Sequence, residues 1–254
     1  MSLELDARRR AMLAEMGVRV FEPMPEAPAP QLASSARAAP VGPTPRTVPP
    51  APSHAAPVGV LPRVAGIESM GWEALAETVA ACRACKLCAG RRNTVFGVGD
   101  TQADWLIVGE APGENEDLQG EPFVGQAGKL LDNMLKALAL DRHHNVYIAN
   151  VLKCRPPGNR NPEADEVAQC EPFLRRQVQL LQPKIILAMG RFAVESLLGT
   201  SEPIGKLRGQ RHEYQGVPVV VTYHPAYLLR NLPEKVKAWA DLCFAQELVR
   251  AQAS

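Results

Sequence analysis

No stretch of this 254-residue chain is apolar for long enough to cross a bilayer. The first ten residues carry acids and lack the apolar core of a secretory signal. An excess of one charge is missing as well. With 28 Lys and Arg against 27 Asp and Glu, the formal net charge is +1, and no global basic field announces nucleic acid. Glycines are present, but no G-K-[ST] follows them and their spacing does not make the dinucleotide fingerprint, which excludes a Walker loop and a simple Rossmann site. No internal repeat is visible. These absences suit the reducing cytosol, where six cysteines argue for metal or chemistry rather than disulfides.

Local composition is more informative. Between Arg142 and Lys237 there are 14 Lys and Arg against 8 Asp and Glu, a local excess of 6. The basic residues bunch at Lys153, Arg155 and Arg160, and again at Lys206, Arg208 and Arg211. A focused basic face on a near-neutral chain suits a partner that carries phosphates. Residues 21–62 hold 12 of the 23 prolines, interspersed with Ala, Ser, Gly and Thr. Such a segment buries too little apolar surface to offset its ordering entropy, so residues 21–69 read as a disordered Pro/Ala-rich tether. Ahead of it, Leu5, Met12, Leu13 and Met16 share a helical face. Residues 1–20 are thus read either as a short amphipathic helix that docks a protein partner or as a frayed terminus.

The folded domain is expected over 70–254. Helical spacing predicts helices leading into the first cysteines and over about 126–138, 164–181, 191–198 and 233–251. Near-continuous apolar strands are predicted at 105–108, 146–152, 184–190 and 217–223. Strands that alternate with helices and are apolar on both faces imply an α/β fold: a three-layer αβα sandwich with a central four-stranded parallel sheet.

In such a sheet Glu110, Asn150 and His224 all fall at the carboxyl ends of strands, the edge where ligands bind. Each alone has a bland reading, as a solvated acid, a turn-end amide or a structural His before Pro. Their convergence on one edge does not. Gly109, Pro112 and Gly113 make a tight turn that lets backbone approach a ligand. Phe123, in a second loop after the same strand, reads as core or as a stacking platform for a planar base.

Four motifs in this order, G-E-A-P-G-E-N-E-D, G-E-P-F-V-G-Q-A-G-K-L-L, N-V-L-K-C-R-P-P-G-N-R-N-P and Y-H-P-A-Y-L-L-R, closely resemble those of the family 4 uracil-DNA glycosylases of bacteria and archaea. The resemblance runs from about Cys82 to Trp239. It implies a DNA-repair enzyme, nucleoid-associated and monomeric, that hydrolyses the bond between uracil and deoxyribose in DNA. By the same resemblance Asn150 reads uracil, Phe123 stacks on it, and the backbone at Glu110–Ala111 forms part of the pocket wall. His224 faces uracil O2 and supports the leaving group, Glu110 orients or activates water, and Glu116 polarises water or excludes thymine's methyl. Tyr227–Arg230 would be a loop pressed into the duplex, with Leu228 and Leu229 as the wedge and Arg230 on a phosphate. Arg155 and Arg160 are further expected DNA contacts. A related branch carries a His on an inserted basic loop and becomes covalently linked to uracil-containing DNA. Here no insertion is present and Cys154 is retained, which favours turnover. A rival from another class is a non-catalytic iron–sulfur DNA-binding accessory protein of the replication machinery. A small-molecule nucleotide hydrolase is a third.

Cysteine spacing by itself hardly separates a four-cysteine zinc site from an iron–sulfur cluster. The resemblance implies a [4Fe–4S] cluster on Cys82, Cys85, Cys154 and Cys170, with a structural rather than redox task. Cys88 leaves the pairing open, since Cys85 and Cys88 repeat the spacing of Cys82 and Cys85. Cys243 reads as core.

Overall fold

The computed structural model describes residues 64–252. The expected N-terminal helix and the tether up to residue 63 lie outside the described residues. Residues ahead of Met70 also pack on the domain: Ile67, in a single 3-10 turn over Ile67–Ser69, is buried with Leu75, Val79 and Phe173.

Six strands form one sheet in the order β1-β3-β2-β4-β6-β5: β1 Val98–Gly99, β2 Trp105–Gly109, β3 Val146–Asn150, β4 Ile185–Met189, β5 Arg211–Tyr214 and β6 Val217–Thr222. The inner four, β3-β2-β4-β6, are the expected parallel strands, and every residue of β2, β3 and β4 is buried. The sheet is larger than the four strands read from the sequence, because β1 and β5 add antiparallel edges. Both are short and polar or glycine-containing, as edge strands tend to be, and neither carries an apolar run. β5 and β6 are joined through Gln215 and Gly216, both with positive φ, the signature of a type I′ hairpin turn.

Helices cover both faces. Alternation along the strands sends Leu106, Val108 and Ala149 to one side, against helices α4 (Ala164–Leu181) and α5 (Arg191–Leu198). Trp105, Ile107 and Ile148 point to the other, against α3 (Gln126–Ala137) and α8 (Lys235–Gln252). The remaining helices are α1 (Trp72–Ala81), α2 (Glu114–Gln119), α6 (Ile204–Leu207) and α7 (Pro225–Arg230). The chain passes from β2 to β3 on one side, then crosses to β4 on the other, so the carboxyl end of β2 is the point where strand order reverses. A crevice opens there.

Candidate active site

Three strand ends build that crevice. Glu110 follows the last residue of β2, Asn150 is the last residue of β3, and His224 stands two residues beyond β6. All three line one cleft of about 790 Å³, with Ala111, Glu116 and Phe123 also on its wall. The convergence inferred from the sequence is therefore real.

Asn150 is only 2% exposed, yet its carboxamide has no hydrogen-bond partner among the described residues. The amide opens onto the cleft with donor and acceptor both uncommitted, so both are available to a ligand bound there. Its position depends on Gly109. A Cβ there would lie 2.4 Å from Asn150 Oδ1 and 2.6 Å from Phe123 Cζ, so only glycine lets the two groups meet over the strand end.

Phe123 is 5% exposed and adopts a left-handed backbone conformation, φ 55°. Three features hold this uncommon geometry. Arg142 donates from Nη2 to the Phe123 carbonyl at 2.8 Å and is itself paired with Asp132 at 2.9 Å. Gly128 leaves room for the same carbonyl, which a Cβ would meet at 1.7 Å. Glu116 accepts from the backbone N–H groups of Val124 and Gly125 at 3.0 and 3.3 Å.

Glu116 also accepts from the Gly113 N–H at 3.1 Å. Its carboxylate is thus committed to joining the two loops that follow β2. Both of its oxygens accept from backbone donors.

His224 caps the start of α7, its Nδ1 accepting from the Ala226 N–H at 3.1 Å. The neutral ring therefore carries its proton on Nε2. Burial pulls its pKa down to about 4, with Glu116 opposing and Arg230 adding to the shift. The imidazole is consequently a neutral Nε2–H donor at physiological pH. Glu110 shifts the other way: burial raises its carboxyl above the ordinary value, Arg191 pulls it back, and Glu195 adds to the rise.

The expected DNA contacts divide. Tyr227 to Arg230 form the helix α7 rather than a loop, started by Pro225 at its first turn. Within it Leu228 is 1% exposed and belongs to the core, which removes it as a wedge, whereas Leu229 is 41% and Tyr227 37% exposed. Arg230 lines the cleft mouth. Arg155 donates to Asn159 Oδ1 at 2.7 Å and lies 3.8 Å from Glu114. Arg160 reaches the cleft too, but its guanidinium is held in two bonds by the fully buried Glu166, at 2.5 and 2.9 Å, and by Glu163 at 3.1 Å. Its first task is to pin the loop between Cys154 and α4. The basic bunches are also less exposed than they read. Lys153 is 1% exposed and Arg208 is paired with the buried Asp241 at 2.8 Å, so neither belongs to an open basic face. Other residues not named as site residues from the sequence, Arg191, Tyr223 and Pro203–Gly205 at the start of α6, line the cleft as well. Arg191 and Tyr223 could have been flagged by their places just after β4 and β6; no such signal marks Pro203–Gly205.

A second, small cavity is lined by Cys82, Cys85, Cys88, Cys154 and Cys170, with Arg91, Lys153 and Gln169 among its other residues. None of the cysteines is in a disulfide. Burial pushes the thiols of Cys154 and Cys170 up to about 11 and about 12. The thiols also oppose one another's ionisation: Cys154 feels Cys85 and Cys82, Cys170 feels Cys154 and Cys85, and Cys88 acts on Cys85. Arg91 donates to Cys154 Sγ at 3.0 Å while anchored on the carbonyls of Ala80 and Cys82. Among the described residues no three His, Cys, Asp or Glu side chains converge closely enough to hold a single metal ion. An all-thiol donor set, two members buried and three half-buried, spread around a cavity beside Arg91, fits a soft multinuclear centre. Cys243 lies half-buried in α8, apart from this cavity.

Comparison with known proteins agrees with this site. The family model of the uracil DNA glycosylase superfamily matches residues 96–243. The Type-4 uracil-DNA glycosylase of Saccharolobus solfataricus is 43% identical over 167 residues, 63% of this chain and 77% of its own. That of Thermotoga maritima is 42% identical over 167 residues, covering 65% and 86%. The Type-5 uracil-DNA glycosylase of Thermus thermophilus is more distant, 31% identical over 160 residues, 51% and 73% of the two chains. With its strand-end residues converging on one cleft and this likeness spanning its α/β domain, the chain belongs to the Type-4 uracil-DNA glycosylases of the uracil DNA glycosylase superfamily.

Proposed function

We propose that this protein is a DNA-repair glycosylase that hydrolyses the N-glycosidic bond of uracil in DNA and leaves an abasic site. The observation that carries the reading is the uncommitted carboxamide of Asn150, which lines the same cleft as the Phe123 ring and the His224 imidazole. A base inside a duplex cannot reach such a cleft, so the nucleotide must be everted. Uracil then offers what the cleft lacks. Its N3–H donates to Asn150 Oδ1 and its O4 accepts from Asn150 Nδ2, whereas cytosine reverses both and leaves buried groups unpaired.

Water attacks C1′ as the C1′–N1 bond breaks, and the bonding pair leaves with uracil. The neutral Nε2–H of His224 donates to O2, where that negative charge collects; one such preorganised donor contributes about 3 kcal/mol to lowering the barrier. A neutral donor loses no proton in the act and stays in place for the next turnover. Glu110 orients the water, faces the developing positive charge on the sugar, and receives the water's proton. Its burial-raised pKa favours that receipt. On the DNA side, the exposed Leu229 and Tyr227 replace Leu228 as candidates to enter the space left by the everted base, with Arg230 and Arg155 near phosphates.

Cys82, Cys85, Cys154 and Cys170, which line one cavity together with Cys88, would hold a [4Fe–4S] cluster, the set that the resemblance to the family implies. When bound, the cluster supplies a cross-link between the cysteine loop before β1 and the 154–162 loop that carries Arg155 and Arg160. Every residue in this account belongs to one chain, so a monomer suffices, and its substrate would keep it at the nucleoid. The test is a single-uracil oligonucleotide treated with the full-length, cluster-loaded protein and then with alkali. Scission at the uracil position is expected. No scission at that position refutes the enzyme and favours a non-catalytic DNA-binding role.

A further inference from the structure

Lys153 is among the largest fully buried side chains of the molecule. Its Nζ donates to the Asn150 carbonyl at 2.8 Å and to Gln177 Oε1 at 2.7 Å. Neither partner is a carboxylate, and Lys153 makes no ion pair with one among the described residues. A long, fully buried amine that spends two hydrogen bonds on neutral oxygens is an unusual use of a lysine, which calls for a reason. Gln177, itself fully buried on α4, turns its other end to the Phe96 carbonyl at 3.0 Å and to Tyr147 Oη at 3.3 Å. Tyr147 and Asn150 both lie on β3, so the relay grips that strand at two points.

The grip on Asn150 has a geometric consequence. The oxygen of the Asn150–Val151 peptide is taken by Lys153, and its N–H donates to the Gly109 carbonyl at 3.0 Å. One residue further on, the Leu152 N–H donates to the Glu110 carbonyl, also at 3.0 Å. A peptide unit fixed at both ends fixes ψ of Asn150, and with it the direction in which the unpartnered carboxamide leaves the backbone. Lys153 also lines the cysteine cavity and precedes Cys154.

We infer that Lys153 is a positioning residue that clamps the Asn150–Val151 peptide and ties the base-reading carboxamide to the wall of the cysteine cavity. The inference rests on Asn150 reading uracil as set out above. It assigns Lys153 no contact with substrate and no proton transfer.

The test compares full-length wild type, Lys153→Met and Gln177→Leu. Each is measured for binding to two oligonucleotides that differ only in one non-hydrolysable nucleotide, 2′-fluoro-2′-deoxyuridine or 2′-fluoro-2′-deoxycytidine. The ratio of the two dissociation constants does not depend on how much of the protein is active, so a purely structural loss leaves it unchanged. Iron content and visible absorbance are followed in parallel. Lys153→Met should lower the preference for uracil about tenfold, the scale expected when a reading group is displaced by a fraction of an ångström, with iron retained. A wild-type ratio in Lys153→Met overturns the inference. Should that variant lose iron or fail to fold, Gln177→Leu decides, since Gln177 does not line the cysteine cavity: a reduced ratio with iron intact supports the clamp, and an unchanged ratio overturns it. If wild type itself shows no preference for uracil, the proposed function fails instead, and the two failures are told apart.

Discussion

The ring of Phe123 lies against the imidazole of His224, centroids 5.3 Å apart and planes 27° from parallel. One comes from the loop after β2 and the other from the turn after β6, so the two sides of the cleft meet through this pair. Contact with an apolar ring is part of why the imidazole is poorly solvated and stays neutral.

That neutrality has a pH signature. A His held near 4 in the folded protein and near 6.5 when unfolded binds more protons unfolded, so stability falls as pH drops from about 6.5 towards 4. The slope from this one group reaches at most about 1.4 kcal/mol per pH unit. Urea unfolding of wild type and His224→Gln across that range should show a shallower acid decline in the variant. The rate of uracil release should show no inflection near 6.5 in wild type and should fall about 100-fold or more in His224→Ala.

Gly109→Ala should damage reading without touching a polar group. The new methyl would need the space of Asn150 Oδ1 and Phe123 Cζ, and both would swing away. A loss of about 10- to 100-fold in kcat/KM is expected, with a stability cost of about 1–3 kcal/mol from overpacking. Steady-state kinetics and thermal unfolding check it, and unchanged kinetics would show that the carboxamide is not placed by this contact.

For Glu116 the bonds to Gly113, Val124 and Gly125 predict an anchor. Glu116→Gln turns an amide donor towards one of these N–H groups and should cost about 1–3 kcal/mol in stability. The shape of the pH–rate profile should be preserved. Disappearance of an acid limb in this variant would instead make Glu116 a proton carrier.

Serine replacements sort the cysteines. Cys88→Ser should retain visible absorbance and acid-labile sulfide, while serine at Cys82, Cys85, Cys154 or Cys170 should lose most of both. The reverse result at Cys82 and Cys88 would move the ligand set one step along the chain.

The four inner strands and the helices between them were legible because residues such as Ile107, Ile148 and Leu187 are apolar by necessity of burial on both faces. β5, Arg-His-Glu-Tyr, was not, since an edge strand exposed at every second residue carries no apolar signal. Glu110, Asn150 and His224 were legible from their places after strands. The work of Glu116 and Lys153 was hidden, because a charge that serves backbone groups reads in sequence like any solvated charge. Leu228 and Leu229 are adjacent and chemically identical, and only the helical phase of α7 buries one and exposes the other.

That helix has a mechanical consequence. His224 is its cap, and Tyr227, Leu229 and Arg230 ride on the single turn and a half that follows. On the proposed reading, any tilt imposed where those outer side chains met a duplex would be delivered to the His224 ring, so that probing the DNA and poising the chemistry would be one displacement of a rigid lever.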